Sequence, residues 1–199
     1  MRPADSHIAE TLRALREAFE SLGLRWYVFG AQAAILYGSS RMTEDVDVTL
    51  DPGRVTTKTI LEALDDAGFS PRTEDIEVLA VTARVLPIEH RGSGTPVDVV
   101  LAGPGLEEDF ASRARHHSIA GETVPVAAVE DLVVMKLLAH RPHDIEDVIA
   151  VLRANRATID LDRARVTLVE LEAAIEDDSL VSRLDEALRR VREKGDGPR

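Results

Sequence analysis

Asp45 and Asp47 stand one residue apart in "RMTEDVDVTL" (residues 41–50), among β-branched residues that read as a strand over 44–50. Aspartate is depleted from strands, and strand positions i and i+2 face the same side. The two carboxylates therefore project together and repel unless a cation lies between them. A third, Asp98, interrupts the apolar run "TPVDVVLAG". A buried, unpaired carboxylate is costly, so three of them on neighbouring strands are expected to share divalent metal. An oxygen-only set, with no cysteine in the chain and no histidine nearby, favours Mg²⁺ or Mn²⁺ over Zn²⁺. Upstream, "VFGAQAAILYG" leads from a strand through Gly30 into a short Ala-rich helix. Glycine there permits close approach of a ligand, and the helix start offers unpaired N–H groups to a phosphate. A phosphate-binding turn beside a tri-aspartate metal site is the apparatus of two-metal phosphoryl or nucleotidyl transfer.

The surrounding pattern supplies elements to hold these groups. Ile8, Leu12, Leu15, Phe19 and Leu22 recur at three- and four-residue steps, which predicts a helix ending at Gly23. "LRWYVFG" reads as a buried strand, and "TTKTILEALDDAG" as a second amphipathic helix after the turn Asp51-Pro52-Gly53. The stretch 71–82 has no decisive period. "ARVLPIEH" and "TPVDVVLAG" predict two strands joined by "RGSG", with Pro87 pointing to an edge or a bulge in the first. "GLEEDFASRARHH" reads as a helix and "SIAGETVPVA" as a short hairpin around Gly121. From residue 128 the pattern is helical: 128–140, 143–154, about 160–175 and about 178–194, with "KGDGPR" expected to fray. The expected class is α+β, a small mixed sheet flanked by helices and followed by a C-terminal helical bundle. Residues 1–125 form the expected catalytic core, and 126–199 a helical subdomain contributing to the active-site cleft.

Composition narrows the field. The 199 residues suffice for a substantial core. A net charge of −12 disfavours extensive duplex nucleic-acid binding. The N-terminal "MRPADSHIAETLRALREAF" has no long apolar stretch, so neither a signal peptide nor a membrane helix is expected, and a cytoplasmic protein is.

At this point the chain resembles a known group. Gly30-Ala31, then Asp45-Val46-Asp47 with Thr43 just before, and Asp98 on a later strand resemble the signature of the nucleotidyltransferase superfamily, whose fold is polymerase-beta-like. "VEDLVVMKLLAHRPHDIEDV" is similar to later motifs of AbiEii-like small bacterial nucleotidyltransferases, some of them toxins of toxin–antitoxin pairs; the matching residues are Asp131, Lys136, Arg141, Asp144 and Asp147. The resemblance implies that Asp45 and Asp47 hold two Mg²⁺ ions, with Mn²⁺ a substitute, and that Asp98 ligates the ion near the acceptor and helps activate its hydroxyl. It further implies that Gly30 and Ala31 cradle the nucleotide phosphates through their backbone, and that Lys136, assisted by Arg41, meets the triphosphate. Asp144 and Asp147 are implied to order the helix pair carrying Lys136. The implied reaction transfers a nucleoside monophosphate from an NTP, ATP among them, to a hydroxyl of a tRNA 3′ end, a protein or a small molecule; a cognate antitoxin is the implied protein partner. Ala31 departs from the pattern, since many members have serine there.

Plainer readings compete. A lone Asp-x-Asp is weak, and Gly30 and Asp98 are what raise it. Lys136 in "LVVMKLLAH" also reads as a snorkelling lysine, and Arg141, Asp144 and Asp147 as a salt bridge at a helix start. His116-His117 and His140/His143 lack the i, i+4 spacing and cysteine partners of a zinc site. Trp26 and Tyr27 read as core. The rival functions are a nucleotide-binding scaffold of the same fold without turnover, and a metal-dependent nuclease.

Overall fold

The computed structural model describes residues 3–193. In chain order the elements are α1 (Pro3–Ser21), β1 (Arg25–Phe29), α2 (Gly30–Leu36), β2 (Val46–Asp51), α3 (Thr57–Asp66), β3 (Phe69–Pro71), α4 (Ile76–Thr82), β4 (Val85–His90) and β5 (Thr95–Leu101). There follow α5 (Leu106–Arg113), β6 (Arg115–Ile119), β7 (Glu122–Val126), α6 (Val129–Ala139), α7 (Pro142–Ala154), α8 (Leu161–Ile175) and α9 (Leu180–Glu193). The class is the expected α+β mixed sheet with a helical C-terminal third. The chain divides into two units, residues 1–32 with 42–127 and residues 33–41 with 128–199. The expected fraying of 194–199 lies outside the described residues.

All seven strands belong to the first unit and form one mixed sheet in the order β3-β4-β5-β2-β1-β7-β6. Alternation sorts its residues by face. Val46, Val48 and Leu50 of β2 and Val97, Val99 and Leu101 of β5 are buried. In β1, Trp26 pairs with Leu50 and Val28 with Val48, so they share that face. Phe19 of α1 meets Trp26 edge to face at 5.4 Å, which seats α1 there with Leu12 and Leu15 fully buried. Asp47 and Asp98 take the opposite, partly open face.

Two local expectations change. Pro87 lies in an interior strand, because β3 pairs with β4 on its far side. The missing N–H is tolerated because β3 ends at Pro71, so Pro87 sits where the partner strand has just stopped. The helix expected to run to His117 stops at Arg113, and Arg115, His116 and His117 instead begin edge strand β6. The hairpin closes through Ala120 and Gly121, at φ 52° and 93°, the left-handed pair that a tight two-residue turn requires. The undecided stretch 71–82 contains the end of β3 and the short helix α4.

In the second unit α6 is apolar nearly all round, with Leu132, Val133, Val134 and Leu137 buried, as suits a helix enclosed by others. Helices α7, α8 and α9 all pack on it. Glu130 pairs with Arg163 and accepts the Asp160 N–H at 2.8 Å, tying the start of α8 to α6.

Candidate active site

The two central carboxylates are positioned by strand register. β2 and β5 run parallel with Asp47 directly opposite Asp98. In-register neighbours share a face and lie about 4.8 Å apart between strands. The same rank continues on both sides: Phe29 of β1 faces Asp47, and Pro87 of β4 faces Asp98. Beyond Pro87 the backbone N–H of Arg72 donates to the Pro87 carbonyl at 2.9 Å, which adds Arg72 as the last member of the row.

Gly30 follows Phe29 at φ +64°, and a Cβ there would lie 2.6 Å from Asp47 Cγ and 2.8 Å from its Cβ. The Asp47 side chain thus fills the space that any other residue at position 30 would need. Gly30 and Ala31 open α2, and Ala31 is buried. Gln32 Nε2 donates to the Asp45 carbonyl at 3.3 Å, linking the start of α2 to the approach of β2.

Asp45 precedes the strand rather than lying within it, is exposed, and accepts a hydrogen bond from the Thr43 hydroxyl. Asp98 is not buried: its side chain is 48% exposed and paired with Arg72. The desolvation argument that singled it out therefore does not hold, because Val97 and Val99 take the core face while Asp98 takes the other. Among the described residues no three acidic or histidine side chains stand close enough to hold a metal ion. The donor set still suits a hard divalent cation in kind and in register: carboxylate oxygens on two adjacent strands of one face, next to a glycine-opened turn. Chelation by all three requires Asp45 and Asp98 to turn from Thr43 and Arg72.

Lys136, Arg41, Asp144 and Asp147 gather in the second unit. Lys136 is 5% exposed, and its ammonium donates to Asp147 Oδ2 at 2.8 Å and Asp144 Oδ1 at 3.1 Å. Asp147 Oδ1 accepts the Ser39 hydroxyl at 2.6 Å, and Arg41 Nη1 stands 3.8 Å from Asp147 Oδ2. Asp144 Oδ2 accepts from Arg141 Nε at 2.8 Å and from the Arg141 N–H at 3.3 Å. Burial pushes the Asp144 carboxyl up, but the hydrogen bonds and charges of Arg141 and Lys136 outweigh it and leave it below the usual carboxylate range. Both oxygens of both carboxylates are engaged.

Two participants escaped sequence reasoning. Ser39 follows Gly38 in "GSS" and carried no spacing signal. Arg72 falls in "SPRTED", where no period could be read, and only the ladder from β3 to β5 brings it to Asp98.

A solved structure shares this fold. The antibiotic-resistance factor ANT(2'')-Ia aligns with a TM-score of 0.58 at 16% identity, over 86% of this chain and 96% of that one. The lincosamide antibiotic adenylyltransferase LnuA, solved with lincomycin bound, aligns with a TM-score of 0.48 at 16% identity, over 71% and 94%. An antigenic nucleotidyltransferase-like protein from Paracoccidioides brasiliensis aligns with a TM-score of 0.48 at 16% identity, over 89% and 93%. No curated protein matches the chain by sequence. Residues 6–193 match the family described as nucleotidyltransferase of unknown function (DUF6036), and the chain belongs to that family. It is a nucleotidyltransferase. Among the described residues no helix is long and apolar enough to cross a membrane.

Proposed function

We propose that the protein transfers a nucleoside monophosphate from an NTP to a hydroxyl acceptor in a Mg²⁺-dependent reaction, with Asp45, Asp47 and Asp98 as the metal-binding carboxylates. The observation that carries this reading is the in-register pair Asp47–Asp98 on one partly open face, with Asp47 packed into the space left by Gly30. Asp45 and Asp47 would hold the divalent cations, and Asp98 would serve the acceptor. When bound, the divalent ions supply charge neutralisation at the phosphorus centre and a lowered pKa for the attacking hydroxyl. The chain's own groups do the rest. Backbone N–H groups at Gly30 and Ala31 orient the nucleotide phosphates, which needs no side chain and so tolerates alanine at position 31. The acceptor oxygen attacks the α-phosphorus, the bond to the β-phosphate oxygen breaks, and pyrophosphate leaves. The hydroxyl proton passes to the Asp98 carboxylate and on to solvent.

Lys136 enters this reading as a positioning residue. With its ammonium shared between Asp144 and Asp147, it acts through Asp147 on Ser39 and Arg41. The acceptor classes are a tRNA 3′ end, a protein hydroxyl and a small molecule such as an aminoglycoside. The −12 charge favours an acceptor that does not demand a broad basic surface. A toxin-like role opposed by an antitoxin protein rests on the likeness of residues 129–148 to toxin-type relatives.

The test is label transfer from each of the four NTPs, with Mg²⁺, to pools of tRNA, protein and small hydroxylated molecules. Transfer to one pool is expected, and Asp45→Ala/Asp47→Ala should reduce it by about 10²-fold or more. Transfer that survives the double substitution would remove these residues from the site. Nucleotide binding without transfer to any pool would point to the scaffold, and cleavage of nucleic acid without NTP to the nuclease. The toxin-like role is tested by expression, which should arrest growth in the wild type and not in the double variant.

A further inference from the structure

Arg72 is the only cation in the row that contains the candidate metal carboxylates, among the residues the ladder aligns. It reaches its place by backbone register rather than by side-chain chance. Pro71 pairs with Ile88, the Arg72 N–H bonds to the Pro87 carbonyl, Pro87 pairs with Asp98, and Asp98 pairs with Asp47. Two strand spacings, about 10 Å, separate the Arg72 backbone from that of Asp98. The residue between them is a proline, whose compact ring lets the long arginine side chain pass over it. The guanidinium then meets Asp98 Oδ1. Both side chains are partly exposed, 36% for Arg72 and 48% for Asp98. A pair so placed is weak and exchanges partners readily.

We propose that Arg72 is a place-holding cation: it neutralises Asp98 in the metal-free protein, competes with the divalent ion for that carboxylate, and thereby sets metal affinity. This rests on the proposed role of Asp98 as a metal ligand. Arg72 is a positioning residue in this scheme, acting through Asp98 and not on the reacting atoms. Charge explains why such a device is needed. Asp47 and Asp98 face each other at strand spacing, so the cation on Asp98 lowers the negative charge on that part of the sheet. Arg72 supplies the cation until the metal does.

The experiment is Mn²⁺ titration of the full-length protein, followed by electron paramagnetic resonance of the free ion. It compares wild type, Arg72→Met, Asp98→Asn, the double variant, Asp47→Asn, and Arg25→Met as a control. Arg25 pairs with Asp51 at 2.6 Å, away from Asp98, so Arg25→Met removes the same charge without touching the proposed competition. Arg72→Met should bind Mn²⁺ about two- to fivefold more tightly than wild type, the range expected from freeing a carboxylate from an exposed pair. In the Asp98→Asn background the same substitution should change nothing, since the two residues act as one unit. Arg25→Met should match wild type. The inference is overturned if Arg72→Met leaves affinity unchanged or weakens it, if the effect persists without Asp98, or if Arg25→Met tightens binding equally. Should wild type bind no Mn²⁺, or bind it undiminished in Asp47→Asn, the site itself is wrong and this inference goes with it. Binding that depends on Asp47 but not on Arg72 overturns the inference alone.

Discussion

The two units each bring aspartates and a long basic side chain together, and they do so in opposite ways. In the first, Asp98 stands on a partly open face and is held through one oxygen by the partly exposed Arg72. In the second, Asp144 and Asp147 are buried around Lys136, with all four oxygens occupied by Lys136, Arg141, Ser39 and Arg41. A buried charge must be satisfied before anything else arrives, because an uncompensated one costs several kcal/mol. A half-exposed carboxylate can trade one cation for another at little cost. Identical residue types therefore divide by exposure: the buried pair is held as architecture, and the proposed chemistry falls to the carboxylates of the sheet.

The largest effect expected from this contrast is on stability. Lys136→Ala should cost about 3–5 kcal/mol, since it strands two buried carboxylates. For a chain of 199 residues that corresponds to a fall in Tm of very roughly 6–20 °C, read by calorimetry. Asp98→Asn should move stability by no more than about 0.5 kcal/mol while abolishing metal-dependent transfer. The comparison breaks if Lys136→Ala leaves Tm in place and instead raises KM for NTP. In that case the ammonium serves the triphosphate directly.

Gly30→Ala comes next. The added Cβ meets the Asp47 carboxylate, and the φ of +64° must be held by a residue that resists it. The backbone term alone is about 1–2 kcal/mol, and the side-chain clash adds to it. The signature expected is a modest fall in the urea midpoint together with weakened Mn²⁺ binding. A variant that keeps wild-type metal affinity would separate Gly30 from the carboxylates it abuts.

These residues also mark how far the sequence could be read. Helices announced themselves where an apolar stripe met a clear stop, as with Leu12, Leu15 and Phe19 before Gly23. Asp45, Asp47, Asp98 and Gly30 stood out as candidates because carboxylates in apolar runs and glycine after a strand are locally odd. What stayed hidden is non-local. That Asp47 faces Asp98 depends on β2 pairing in parallel with β5, and no residue nearby encodes that choice. Asp98 looked buried because its neighbours are valines, yet alternation turns it to the open face. Arg115 to His117 followed a helix without a breaker and carry no apolar alternation, since an edge strand needs little. Pro87 pointed to an edge because sequence cannot tell that its neighbour β3 is only three residues long.

A subtler test concerns acid. The lowered carboxyl of Asp144 binds its proton less readily folded than unfolded. Its contribution is thus complete above the ordinary value of 3.8 and is lost as pH falls through the lowered folded value. Urea midpoints followed downward from pH 6 should show the gap between wild type and Asp144→Asn closing only in that acid range. A gap that closes near neutral pH would assign it to another group.

The smallest effect is expected where burial is absent from an otherwise similar pair. Arg165 on α8 and Asp185 on α9 form an ion pair with side chains 41% and 56% exposed. The side-chain hydrogen bond from Arg165 holds the Asp185 carboxyl below its usual range, but solvent screens most of that interaction. A double-mutant cycle over Arg165→Ala and Asp185→Ala should give a coupling of about 0.2–1 kcal/mol at low salt. It should vanish near 1 M salt, where the screening length falls to about 3 Å. The corresponding cycle for Lys136 and Asp144 should be several times larger and nearly indifferent to salt, because no ions reach the buried pair. If both couplings decay alike with salt, the Lys136 cluster is open to solvent in solution, and exposure no longer separates the two sets of carboxylates.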